Sequence, residues 1–143
     1  MYPKAQIPCI QLSLLRNLDP EKHIALGKAL ASLREKNILI IGSGMSFHHL
    51  KTFFTHDIDS SRENDAFDQW LIQMYACPEI LSEVREQRLI EWEKAPFARF
   101  CHPREEHLLP LQVCYGIACA DSPIAKVVFN EQIMGKKVTS LLW

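Results

Sequence analysis

The sequence predicts an α/β fold, a mostly parallel central sheet flanked by helices, and three observations carry that expectation. IPCIQLSLL, Ile7 to Leu15, sets Ile10, Leu12 and Leu14 at alternate positions, the period of a strand. ILII, Ile38 to Ile41, is a short unbroken apolar run of the kind expected of a strand covered on both faces. Between them KHIALGKALASLREK spaces its apolar residues helically, and a helix of that length is the usual crossover between parallel neighbours.

Asp19 stands where an N-cap is needed and Pro20 fits the first helical position. Ile24, Gly27, Leu30, Ala31 and Leu33 form the inward stripe, and the helix is expected to run to about Lys36, where Asn37 breaks it. Gly42 then marks the C-terminal end of the second strand, the edge at which open α/β sheets form ligand crevices. Lys51 to Glu63 is polar and reads as a loop long enough to wall a site. Phe67, Trp70, Leu71, Met74 and Tyr75 share one helical face, and Pro78 opens a further helix with Ile80, Leu81, Val84, Leu89 and Trp92 as its apolar positions. Both stripes are expected to pack the core.

A helix starting at Pro103 is expected to continue through EEHLLPLQVCYGIACA, with Glu105 and Glu106 in its first turn and Pro110 bending it. Lys126 to Phe129 and Lys137 to Leu142 are expected to be strands of a hairpin about Met134 and Gly135.

The chain has 143 residues, 48% of them hydrophobic, which suits a single domain. Sixteen basic against 17 acidic side chains, with no charged run, argue against nucleic acid or anionic lipid as a partner. The five cysteines are odd in number and contain no CxxC pair, so neither a disulfide framework nor a structural zinc site is indicated, and a reducing cytoplasm is the expected setting. No apolar run reaches the roughly 18 residues of a membrane span.

Four of the six histidines fall in two clusters, His48 with His49 and His102 with His107. Adjacent His48 and His49 diverge on most backbones, so one of the two is expected to face the crevice. His102 and His107 lack the spacing that stacks ligands on a helix face, and if His102 caps the helix only His107 projects from its first turns. Gly42-Ser43-Gly44 fails as a phosphate loop because Phe47 replaces the third glycine and no lysine follows. Cys101 and His102 are too close in sequence to act as nucleophile and base. A small zinc site using Cys101, His102 and His107 stays open.

Two stretches go beyond general physics. GSGMSFHHL, Gly42 to Leu50, and HPREEHLLPL, His102 to Leu111, resemble signature segments of the class III extradiol ring-cleaving dioxygenases, in the 4,5-DOPA dioxygenase branch. YPKAQIPCIQLSL and WEKAPFARFCHPREEH are similar to that family in the order of their elements, from Tyr2 almost to Trp143. The resemblance implies that residues 1–143 form the C-terminal portion of one dioxygenase domain, incomplete relative to the whole. It implies iron(II), or zinc in its place, and a catechol-type substrate with dioxygen.

It assigns His48 the acid–base role and His107 a metal ligand's role. His49 departs from the asparagine more familiar after the catalytic histidine. His23 and His56 do not match the family's remaining metal-binding histidines, which lie upstream of the region this chain resembles. Ring cleavage is therefore expected to need a complementing N-terminal half. The alternative is a non-catalytic remnant that uses the half-fold to bind a partner or a second copy.

Overall fold

Helix α1 (Pro20–Leu30) begins where the sequence signals it: Asp19 is extended, its side chain accepts from the Lys22 N–H at 3.1 Å, and Pro20 occupies the first turn. A 3₁₀ segment, Ala31–Lys36, continues it, and Asn37 ends it with φ 55°, the left-handed conformation asparagine tolerates. This computed structural model describes residue 4 and residues 6–53 and 58–143, with residues 58–60 described as helical backbone only. Further along lie α2 (Leu50–Phe53), α3 (Ile58–Ala76), α4 (Ser82–Ile90), α5 (Ala98–Cys101) and α6 (Leu109–Ala118), followed by β1 (Lys126–Ile133) and β2 (Lys136–Leu142).

The fold is α/β in content, with helices and one small sheet; among the described residues the expected parallel sheet is not formed. Among the described residues the single ladder is the antiparallel pair β1 and β2. Residues 7–15 and 38–41 join no strand ladder, and Ile10, Leu39 and Ile41 are 96%, 77% and 66% exposed rather than covered. Alternation and apolar runs report that a segment wants a face covered; they do not specify its neighbour. The hairpin does match its expectation, with β1 running longer than read: Met134 and Gly135 both have positive φ, as a two-residue type I′ turn requires.

Two further expectations are corrected. The polar stretch read as a loop is helical from Ile58, while residues 54–57, including His56, lie outside the described residues. Beyond that stretch, polar side chains of the same helix are buried. Asn64 accepts from Lys137 N–H at 2.6 Å and donates to its carbonyl at 3.1 Å, and Asp68 bonds Asn130 and Thr139. Buried polar groups that hold β2 onto α3 look, in sequence, like loop residues. The helix expected from Pro103 begins instead at Leu109. Pro110 thus falls in the first turn of α6, where its missing N–H costs nothing, and it bends no helix.

Phe67, Leu71, Met74 and Tyr75 of α3 form the core with Phe47, Leu89, Trp92 and Tyr115, all 1% exposed or less. Trp70 packs against that core, as its helical face predicts. The second stripe is only partly inward, since Leu81 is 69% exposed ahead of α4. Fully buried Arg85 donates to the carbonyls of Met74, Cys77 and Ile80, the otherwise unpaired acceptors around the end of α3. No helix among the described residues is long and apolar enough to cross a membrane.

Helices α1 and α6 approach until backbone meets backbone. A Cβ on Gly27 would overlap the Val113 carbonyl, and one on Gly116 the Ile24 carbonyl. Gly27→Ala or Gly116→Ala should therefore destabilise the chain by about 1–3 kcal/mol, the usual cost of overpacking a tight contact. The midpoint of urea unfolding checks this, and an unchanged midpoint would show that the helices part without cost.

Candidate metal and acid–base centre

Three contacts fix the segment that carries His48. The His48 N–H donates to the Cys101 carbonyl at 2.9 Å, His102 Nε2–H donates to the Ser46 carbonyl at 2.9 Å, and the Ser46 hydroxyl accepts from Thr139 N–H at 2.8 Å. Phe47 turns inward between them, its ring centroid 5.9 Å from Phe53 and 6.4 Å from Phe100. Gly44 completes the fit. A Cβ there would overlap the His107 carbonyl, so only glycine lets this segment lie against the turn before α6.

That close approach brings His48 and His107 together. Their rings stack with centroids 3.5 Å apart and planes 13° from parallel. Glu106 stands beside them, its Oε1 3.9 Å from His48 Nδ1. One ligand atom from each of His48, Glu106 and His107 lies within 4.8 Å of the others. His107 also borders a trough of about 630 Å³ between residues 38–46, α6 and β2. A second groove, about 700 Å³, is lined by residues of α1, α4 and α6 and contains none of these histidines.

The three side chains are chemically suited to iron(II) or zinc, since imidazole and carboxylate are the donors such ions take with open positions beside them. His107 Nδ1 and Glu106 Oε2 are buried without a hydrogen-bond partner. Stacking limits how they can be used. An imidazole lone pair lies in its ring plane, and two nearly parallel rings 3.5 Å apart cannot both aim at one ion about 2 Å from each nitrogen. One ring can ligate while the other remains free to move protons. Burial, then the neighbouring His107, lowers the His48 pKa from the ordinary histidine value, with Glu106 opposing, so the imidazole is neutral and basic at physiological pH.

The other candidates are placed elsewhere. His49 diverges from His48, as expected of neighbours, and meets the Phe100 ring edge-on at 5.0 Å. His102 is not a helix N-cap: it follows α5, is fully buried, and gives Nε2 to the Ser46 carbonyl, with Nδ1 buried and unpartnered. His23 is buried between the Asp19 carbonyl, 2.6 Å from Nδ1, and the Leu15 N–H, 3.1 Å from Nε2. The Cys101 thiol faces the Glu63 carbonyl at 3.8 Å, and burial pushes its pKa up to about 12. Among the described residues the cluster close enough to hold a metal comprises His48, Glu106 and His107, without Cys101 or His102, so the zinc site of Cys101, His102 and His107 is not formed. Glu106 was read only as a helix-dipole acid. Its one sequence signal is direct adjacency to His107, which gains meaning once the segment is a turn.

Residues 1–140 match the family described as the catalytic LigB subunit of aromatic ring-opening dioxygenase. The chain belongs to the LigB family. Among its LigB-type relatives are the 4,5-DOPA dioxygenase extradiol of Beta vulgaris, 36% identical over 92% of this chain and 47% of that protein, and that of Portulaca grandiflora, 38% identical over 81% and 41%. A dioxygenase of Hapsidospora irregularis is 30% identical over 99% of this chain and 45% of its own length. The chain thus spans less than half the length of these relatives. The crystal structure of an uncharacterized Escherichia coli K12 protein superposes with a TM-score of 0.73 at 25% identity, covering 99% of this chain and 56% of that one.

Two outcomes follow from the geometry. Gly44→Ala should separate the two rings, so the ring-current-shifted imidazole signals of His48 and His107 should move to ordinary positions in proton spectra while far-ultraviolet dichroism is retained. Burial lowers His102 to about 4, below its ordinary 6.5, so the neutral form is the folded one. Its contribution is complete above pH 6.5 and is lost as pH falls toward 4, by up to roughly 3 kcal/mol. Urea midpoints against pH should show that slope, and it should be much reduced in His102→Gln.

Proposed function

We propose that this chain supplies the acid–base group and part of the metal site of an extradiol ring-cleaving centre for a DOPA-like catechol. The single observation that carries this reading is the stacked His48–His107 pair beside Glu106, at the end of the segment where an α/β crevice was expected. His107 is the metal ligand and His48 the acid–base residue. Iron(II), or zinc in its place, would supply Lewis acidity and a template for substrate and dioxygen when bound.

His48 does the proton work. Its Nδ1 faces Glu106, leaving Nε2 to take the catechol proton and return it as the ring opens. The depressed pKa keeps that nitrogen unprotonated before substrate arrives. Stacking on His107 fixes the ring's plane, and the backbone bond from His48 N–H to Cys101 fixes its origin. The trough beside His107, lined by Ile41, Met45 and Leu141 among others, offers an apolar wall for a flat aromatic ring.

His107 alone holds a divalent ion weakly, because such a facial site takes about three protein ligands. The complete centre accordingly draws on the remainder of the family domain, in which residues 7–15 and 38–41 find strand partners and a mostly parallel sheet is completed. Free cysteines throughout the described residues suit a reducing cytoplasm.

A chimera tests the proposal: residues 1–143 replace the matching part of the Beta vulgaris relative, and oxygen uptake with DOPA is followed after loading iron(II). His48→Ala should lower kcat by about 10²-fold or more with metal content unchanged. His107→Ala should lose the metal. An active chimera indifferent to both changes would sink the assignment.

A further inference from the structure

Resting on the reading of His107 as a metal ligand, we propose that Glu106 is its partner ligand, so that this chain presents the metal with a carboxylate oxygen and an imidazole from consecutive residues.

Consecutive residues cannot share a face of a helix, but Glu106 and His107 lie in the turn between α5 and α6, where that limit does not apply. Glu105 is pulled the other way, to Arg99 Nη1 at 2.6 Å, which separates the two neighbouring acids in function. The two oxygens of Glu106 have distinct surroundings. Oε1 faces His48 Nδ1 at 3.9 Å, while Oε2 is buried without a hydrogen-bond partner. Arg104 Nε stands 3.4 Å from Oε2 in an ion-pair contact, on a side chain 70% exposed that can swing away.

His107 Nδ1 is likewise buried and unpartnered. A buried polar atom without a partner is costly, and one ligand atom each of Glu106 and His107 lies within 4.8 Å of the other, close enough to share a cation. The stacked geometry excludes His48 and His107 ligating together, which leaves the carboxylate as the second donor here. The pairing also ties the two roles together, since the carboxylate that binds the ion through Oε2 orients the acid–base imidazole through Oε1.

The untagged 143-residue chain titrated with Co²⁺, followed by calorimetry and visible absorption, tests this. Wild type should bind one ion with absorption bands of mixed nitrogen and oxygen ligation. Glu106→Gln, nearly isosteric, should weaken binding at least tenfold, and His48→Gln should leave it within threefold; dichroism confirms that each variant is folded. Full Co²⁺ affinity in Glu106→Gln, with His107→Gln losing it, would overturn this inference while leaving His107 a ligand. Equal affinity in all three variants would overturn both, whereas the absence of Co²⁺ binding by wild type would overturn this inference alone.

Discussion

The centre depends on one close approach, that of Gly44 to the carbonyl of His107. Two segments more than 50 residues apart in sequence meet there at a distance that excludes any side chain. The hydrogen bonds on either side of the contact, from His48 to Cys101 and from His102 to Ser46, cannot form unless that approach is made. Both are buried or partly buried and give the pair a fixed register, so the imidazoles meet face to face rather than merely nearby.

Consequences run outward from that contact. Because His102 Nε2 is committed to holding the His48 segment, its buried ring has a structural role that a motif reading leaves ambiguous. Because the chain from 103 to 108 must curl to deliver His107, it cannot be helical, and α6 starts later than its proline suggests. The polar face of α3 serves the same end, since Asn64 and Asp68 hold β2, whose Thr139 in turn holds Ser46.

Local signals were legible wherever a neighbour in sequence decides the outcome. The Asp19 cap, the Asn37 stop, the α3 stripe and the Met134–Gly135 turn are all of that kind. His48 and His107 were legible as candidates through their surrounding segments, and their meeting in space is a tertiary fact. The signal failed where a distant partner decides. Residues 7–15 and 38–41 look like strands, yet pairing requires donors and acceptors from another segment. Ile58 to Glu63 reads as loop because its polar residues carry no apolar stripe of their own, and the helix they open is completed only by the residues that follow. Glu106 was overlooked for the related reason that its oxygens acquire separate surroundings only after folding.

The turn bearing Glu106 and His107 is moored at the surface by Arg99, which lies over Trp92 at 4.7 Å and pairs with Glu93 and Glu105 on a side chain 43% exposed. The opposite wall, bearing His48, is moored by backbone and buried bonds. Dissolved ions screen the first mooring and scarcely reach the second. Ionic strength thus bears unevenly on the two walls, weakening the exposed Arg99 pairs and leaving the buried bonds about Ser46 nearly untouched.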